Sequence, residues 1–213
     1  MQTISISGVL PKIFEEKPPA SQIWQQKVEF SNGKFYLIKA DSGKGKSSLF
    51  SFMYGYRSDF LGKIDFDNRN ISAISRQEWD LIRINNLSLL FQDLRLFPKL
   101  TAFENIVLKN KLTGYKTIEE IRQMLDFLEI KKKTNEKCEK LSWGQQQRTA
   151  IVRALCQPFN FLLLDEPISH IDDRISAKIA ALITAEVQKQ GAAVIVSSIG
   201  KNLTMNYNQV LEL

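Results

Sequence analysis

Phe35-Tyr36-Leu37-Ile38-Lys39-Ala40-Asp41-Ser42-Gly43-Lys44-Gly45-Lys46-Ser47-Ser48 is the stretch that decides the fold. A run of strand-forming residues enters a Gly- and Ser-rich turn that opens a helix. From Ala40 to Ser47 it matches G-x-x-x-x-G-K-[ST], with Ala in the first place. Small residues let successive backbone N–H groups turn inward around phosphate oxygens, and a helix opening at Gly45 adds the positive end of its dipole. Lys46 offers a compact charge for the β- and γ-phosphates, and the Ser47 hydroxyl suits Mg²⁺, a hard cation. Ser42, Gly43, Lys44, Gly45, Lys46, Ser47 and Ser48 are therefore the candidate phosphate-binding set. Ala40 is harmless unless the loop needs a positive φ there.

Upstream, T-I-S-I-S and K-V-E-F read as strands, and K-I-D-F follows the first helix as another. Leu87 to Gln92 reads as a buried strand. From about Thr101 to Cys156 the pattern turns helical, with Ile118, Ile121, Leu125 and Leu128 spaced to form one apolar face. Phe161 to Leu164 has the continuous apolar character of a strand buried on both sides. A helix follows from about Arg174, with Ile175, Ile179, Leu182 and Ile183 inward and Gly191 as its stop. Ala193 to Val196 and Val210 to Leu213 are the last strand candidates.

The bulk numbers permit this but do not single it out. The 213 residues are 44% hydrophobic and 24% charged, which is ordinary for a globular domain. A net charge of +6 suits anionic partners without specifying one. Cys138 and Cys156 lack C-x-x-C spacing and read as thiols of a reducing compartment. The N-terminal residues do not resemble a secretory signal, and no apolar run approaches the ~18 residues of a membrane span. A cytoplasmic chain that reaches a membrane only through a partner is the expectation.

Asp165 and Glu166 end the apolar strand, where side chains emerge beside the phosphate loop at the carboxyl edge of a parallel sheet. Asp165 is placed to hold Mg²⁺, and Glu166 to orient and deprotonate an attacking water. An acidic pair after a strand is also a common helix N-terminus. Between loop and pair stands Leu141-Ser142-Trp143-Gly144-Gln145 at the head of a predicted helix, Gln145 to Cys156. A hydroxyl and free amides at a helix N-terminus form an anion site.

With these motifs the chain resembles the ATPase subunit of ABC (ATP-binding cassette) transporters over nearly its whole length. Leu141 to Gln145 is similar to the family's L-S-G-G-Q signature, with Trp143 in place of the first Gly. The resemblance implies an α/β P-loop NTPase (RecA-like) core with a mostly parallel sheet, an antiparallel β-subdomain and a helical subdomain inserted at about 93–157. It implies one ATP-binding domain over 1–213. It further implies that Ser142, Gly144 and Gln145 meet the ATP of a second subunit, with Trp143 turned away from it. Gln92 resembles the glutamine that links Mg²⁺ and water to a transmembrane permease. Ser169-His170-Ile171-Asp172 resembles S-A-L-D, with Asp172 crossing to the other subunit and His170 at a contact or the surface. An aromatic stacking on adenine is expected, and Phe14 is chosen over Trp24. The implied ligands are ATP and Mg²⁺. The implied partners are a second ATP-binding subunit, in a head-to-tail homodimer, and a permease at the inner face of the membrane; nucleic acid is not among them.

Gln92 to Asn105, with Ile74 to Arg83, is similar to the lipoprotein-release, macrolide-export and cell-division ATPases, which offer a groove to a cytoplasmic helix of the membrane partner. Leu96, Phe97 and Phe103 either line such a groove or pack the helical subdomain. One departure stands out. Where the family places a Thr-His pair, this chain has Ser197-Ser198. Ser198 at the switch position cannot carry a positive charge, so slow hydrolysis is expected. The alternative is a low-turnover module that uses nucleotide binding as a mechanical signal. A DNA-repair or translation ATPase is disfavoured, because 213 residues leave no room for long coiled coils or a tandem cassette.

Overall fold

The computed structural model describes every residue except His170, whose assignment above lies outside the described residues. Nine strands and six α-helices alternate along the described chain. They are β1 (Thr3–Pro11), β2 (Lys27–Ser31), β3 (Phe35–Lys39), α1 (Lys46–Met53), β4 (Phe60–Phe66) and β5 (Arg69–Asn70). Then come α2 (Arg76–Asn85), β6 (Leu87–Leu90), α3 (Ala102–Asn110), α4 (Ile118–Phe127), α5 (Trp143–Leu155), β7 (Phe161–Asp165), α6 (Asp173–Gln190), β8 (Ala193–Ser198) and β9 (Gln209–Glu212).

Two sheets result. β2-β1-β4-β5 is antiparallel, whereas β6-β7-β8-β3-β9 is parallel in every pairing, with no antiparallel strand at its edge. The two-residue period of a strand divides the core. Leu162, Leu164, Val194 and Val196 face a layer built with α4, α5 and α6. Phe161, Leu163, Ala193 and Ile195 face the layer shared with α1 and the antiparallel sheet. Strands covered on both faces must read as unbroken apolar runs, which is why β7 and β8 were legible.

Helix starts follow the side chains that can accept from free amides. Ser75, Thr101, Thr117 and Ser142 each form a reciprocal capping box with the Glu or Gln three residues on. This corrects the signature helix, which begins at Trp143 with Ser142 as its cap rather than at Gln145. Likewise α1 begins at Lys46, with Gly45 as a left-handed cap at φ 96°. Ile118 is a second correction. It is exposed at the first position of α4, while Met124 takes an inward place beside Ile121, Leu125 and Leu128. A residue in the opening turn can fit the period and still overhang the core. Leu182 is only half-buried against its layer.

A buried ion pair joins the helical region to the core. Lys116, between α3 and α4, donates to Glu186 of α6 at 2.7 Å, with both side chains about as inaccessible as the apolar core. Tyr115 and Gln190 also donate to Glu186, at 2.7 and 2.9 Å. Nearby, burial pushes the Cys156 thiol up to about 12, so it behaves as a small apolar side chain rather than a reactive thiol.

Candidate nucleotide site

Strand order assembles the site. β8 lies between β3 and β7, and all three run in the same direction, so their carboxyl ends share one edge. In register, Asp165 of β7 sits beside Ser197, and Ser198 sits beside Lys39 of β3. The loop after β3 and the acidic pair after β7 are thereby brought together over more than a hundred residues of sequence.

Asp165 is the hub. One carboxylate oxygen accepts from the Ser47 hydroxyl and the other from the Ser197 hydroxyl, both at 2.6 Å. The Gln92 amide oxygen lies 3.3 Å from the Ser47 hydroxyl. Ser47, Gln92 and Asp165 thus bring oxygen atoms together, a donor type that suits a hard divalent cation. Lys46 is buried at the head of α1, where it donates to the Ala40 and Asp41 carbonyls at 3.1 and 3.0 Å. Its ammonium also lies 3.8 Å from Glu166. Burial holds the Lys46 pKa below the ordinary range, and Glu166, Asp165 and Asp41 partly offset that.

Glu166 has φ 50°, a conformation that costs a non-glycine residue on the order of 1–3 kcal/mol. Its N–H donates toward the Ser197 carbonyl and hydroxyl at 3.2 and 3.3 Å, and its carbonyl accepts from Gln147 at 3.1 Å. Three contacts from two elements fix the backbone of the candidate base. Sequence reading missed Ser197 and Gln147, because a serine in an apolar strand and a glutamine in a helix carry no motif. Strand pairing reveals Ser197, and the side-chain contact from α5 reveals Gln147.

The phosphate loop is braced from below. Trp24 is buried and donates its indole N–H to the Lys44 carbonyl at 3.0 Å. A Cβ on Gly45 would lie 3.0 Å from Trp24 and 3.2 Å from Phe14, so only glycine fits there. Ala40 takes no left-handed conformation, so the missing first glycine costs nothing. A cleft of about 310 Å³ lies over the loop, bounded by Phe14, Ser42, Gly43, Lys46, Ser48 and Glu166. Ile13, Arg57 and Ile199 also line it, none of them flagged by a motif. Arg57 donates to Ser48 at 3.0 Å, which brings a guanidinium to the phosphate side. Phe14 reaches the cleft half-buried, whereas Trp24 is wholly a brace.

Other expected residues stand apart. Ser198 is buried, with its hydroxyl on the Lys201 carbonyl at 2.6 Å, and it is Ile199 that faces the cleft. The Ser142 hydroxyl accepts from Gln145 N–H in the capping box, with Gly144 in the same first turn. Asp172 caps α6 through Ile175 N–H at 2.9 Å. The Trp143 ring lines a cavity of about 400 Å³ that runs from Ser47 and Asp165 past Phe50, Phe91 and Arg95.

The loop after β6 also holds a strained backbone. Leu94 and Arg95 both have positive φ, and Arg153 of α5 donates to both of their carbonyls, at 2.5 and 2.7 Å. Beside it opens a groove of about 410 Å³ lined by Tyr56, Phe91, Phe97, Leu108, Lys109 and Leu112 among others. Phe97 is exposed in it, while Leu96 and Phe103 pack against the helical core. Phe97 thus lines an open groove, whereas Leu96 and Phe103 pack the helical subdomain.

A parallel sheet with a phosphate loop after one strand and an acidic pair after another defines a P-loop nucleotide-binding domain. The comparisons with known proteins narrow that class. The sequence matches the family described as "ABC transporter" over residues 25–169, and the chain belongs to that family as an ATP-binding cassette. It is 32% identical to "Uncharacterized ABC transporter ATP-binding protein YclH" of Bacillus subtilis, over 79% of this chain and 75% of that protein. It is also 32% identical to "Lipoprotein-releasing system ATP-binding protein LolD" of Bacteroides fragilis, over 68% of each. "Cell division ATP-binding protein FtsE" of Bacillus subtilis is 26% identical over 83% of this chain and 78% of that protein. Among solved structures, the ATP-binding cassette MJ0796, a dimer bound to ADP and Pi, superposes with a TM-score of 0.73 at 26% identity, covering 92% of this chain and 87% of the other.

Proposed function

We propose that this chain binds MgATP between two copies arranged head to tail and hydrolyses it to drive a membrane-embedded permease from the cytoplasmic face. The observation that carries the reading is Asp165, whose two oxygens take the hydroxyls of the phosphate loop and of β8, with Lys46 and Glu166 beside it. Ser47, Asp165 and Gln92 would hold Mg²⁺, which would supply charge neutralisation at the phosphates. Lys46 and the loop amides hold the β- and γ-phosphates, Phe14 flanks the base, and Glu166 takes the proton of the attacking water. Ser142, Gly144, Gln145 and Asp172 act on the nucleotide of the second copy.

No helix of the described residues is long and apolar enough to cross a membrane, and in this proposal the permease supplies the membrane attachment. The groove supports that attachment. Its aromatic and aliphatic walls suit the apolar face of a cytoplasmic helix. Arg95 stacks 3.9 Å from the Phe91 ring centre, and burial pushes the Lys109 ammonium down to about 8. Co-purification from native membranes should recover a permease that stimulates ATPase activity. Phe97→Asp should abolish both the recovery and the stimulation while sparing the basal rate. A permease still retained by that variant places the contact elsewhere.

The low-turnover reading is favoured by one observation: the Ser198 hydroxyl is held by Lys201 and does not line the cleft. Ser198→His should raise the single-turnover rate by at least about tenfold if this position limits stabilisation of the developing charge. An unchanged or lower rate in quench-flow means that chemistry is limited elsewhere.

A further inference from the structure

Ser198 has a structural task that follows from its position. Its backbone carbonyl accepts from the N–H of Ala40, the first residue of the phosphate loop, at 3.3 Å. Its hydroxyl donates to the Lys201 carbonyl at 2.6 Å across a tight turn in which Gly200 has φ 74°. Lys201 then reaches back over the sheet edge. Its ammonium donates to the Ile171 carbonyl at 2.6 Å and pairs with Asp173 at 2.8 Å. Asp172 lies between those two anchors, and its own carboxylate is committed to capping α6. A continuous line of short polar contacts thus runs from the phosphate loop through Ser198 and Lys201 to both sides of Asp172.

We infer that Lys201 is a positioning residue for the composite site: it ties the Ile171–Asp173 segment to the phosphate loop and so sets where Asp172 meets the second subunit. This rests on the head-to-tail reading above. Asp173 is almost fully exposed, so its ion pair adds little to fold stability. The bond to the Ile171 carbonyl fixes backbone position instead, which a single long cationic side chain can do without being part of the core. The arrangement also gives a physical reason for serine at position 198. A short hydroxyl closes the turn onto the Lys201 carbonyl in a buried place.

The test uses Glu166→Gln, which should arrest the ATP-bound dimer, as background. Adding Lys201→Ala should weaken MgATP-dependent dimerisation about tenfold by analytical ultracentrifugation, the scale of a coupling between linked sites. Affinity for MgADP and the thermal midpoint should stay unchanged, and Lys201→Arg should restore the dimer. In the wild-type background Lys201→Ala should lower kcat with little change in KM. If Glu166→Gln dimerises equally well with and without Lys201→Ala, the positioning role is overturned while the composite site stands. A loss of MgADP affinity matching the loss of dimer overturns it too, since Lys201 then acts within one subunit. If Glu166→Gln alone remains monomeric in saturating MgATP, the head-to-tail reading falls and takes this inference with it.

Discussion

Glu166→Gln is expected to lower ATP turnover by roughly 10²–10⁴-fold, the range for removing a positioned general base, while leaving MgATP binding intact. The amide keeps the shape of the carboxylate but cannot take a proton from water. Backbone placement should not change, because the contacts from Ser197 and Gln147 are made to the main chain of residue 166. The lost negative charge beside Lys46 removes the 3.8 Å ion pair and leaves the ammonium freer to serve phosphate. Binding should therefore hold or tighten, and the ATP-bound dimer should persist. Steady-state hydrolysis and sedimentation check the two halves separately. Turnover within tenfold of wild type would falsify the assignment of Glu166 as the base.

The second large effect lies far from the nucleotide. Glu186→Ala should destabilise the fold by about 3–5 kcal/mol in urea unfolding, because it strands the buried Lys116 ammonium without its partner. Glu120 sits 3.8 Å from the same ammonium at the surface and can compensate only weakly. Tyr115 and Gln190 would lose their acceptor at the same time. Replacing both charges, Lys116→Met with Glu186→Leu, should recover most of the loss, since apolar groups of similar volume can stand in for a buried pair. A double variant as unstable as the single one would show that the site requires its hydrogen bonds rather than charge balance. The pair joins the α3–α4 connection to α6.

Neither Lys116 nor Glu186 announces itself in sequence. A lysine before a capping threonine and a glutamate late in an amphipathic helix both read as solvated, and 70 residues separate them. The nucleotide site divides the same way. Lys46, Ser47, Asp165 and Glu166 were legible because phosphate binding demands fixed residue types at fixed local spacing. Gln92 was legible by resemblance. Ser197, Gln147, Trp24 and Arg57 were not, because their roles depend on which elements come together in the fold. The signature helix was placed two residues late at its start because the capping role of Ser142 depends on side-chain geometry. Ile118 misled because periodicity cannot tell where a helix leaves the core.

By itself the sequence determined the phosphate loop, the acidic pair, the buried parallel strands and the family, all of which rest on short-range patterns of residue type. Only the tertiary structure decided that Asp165 joins Ser47 to Ser197, that Trp24 braces the loop while Phe14 reaches the cleft, and that Ser198 turns to Lys201 instead of the cleft. The first two depend on the insertion of β8 between β3 and β7 or on packing beneath the loop, and long-range placement leaves no local trace in the chain. The third depends on the backbone of a tight turn, with Gly200 at φ 74°, which residue types alone do not announce.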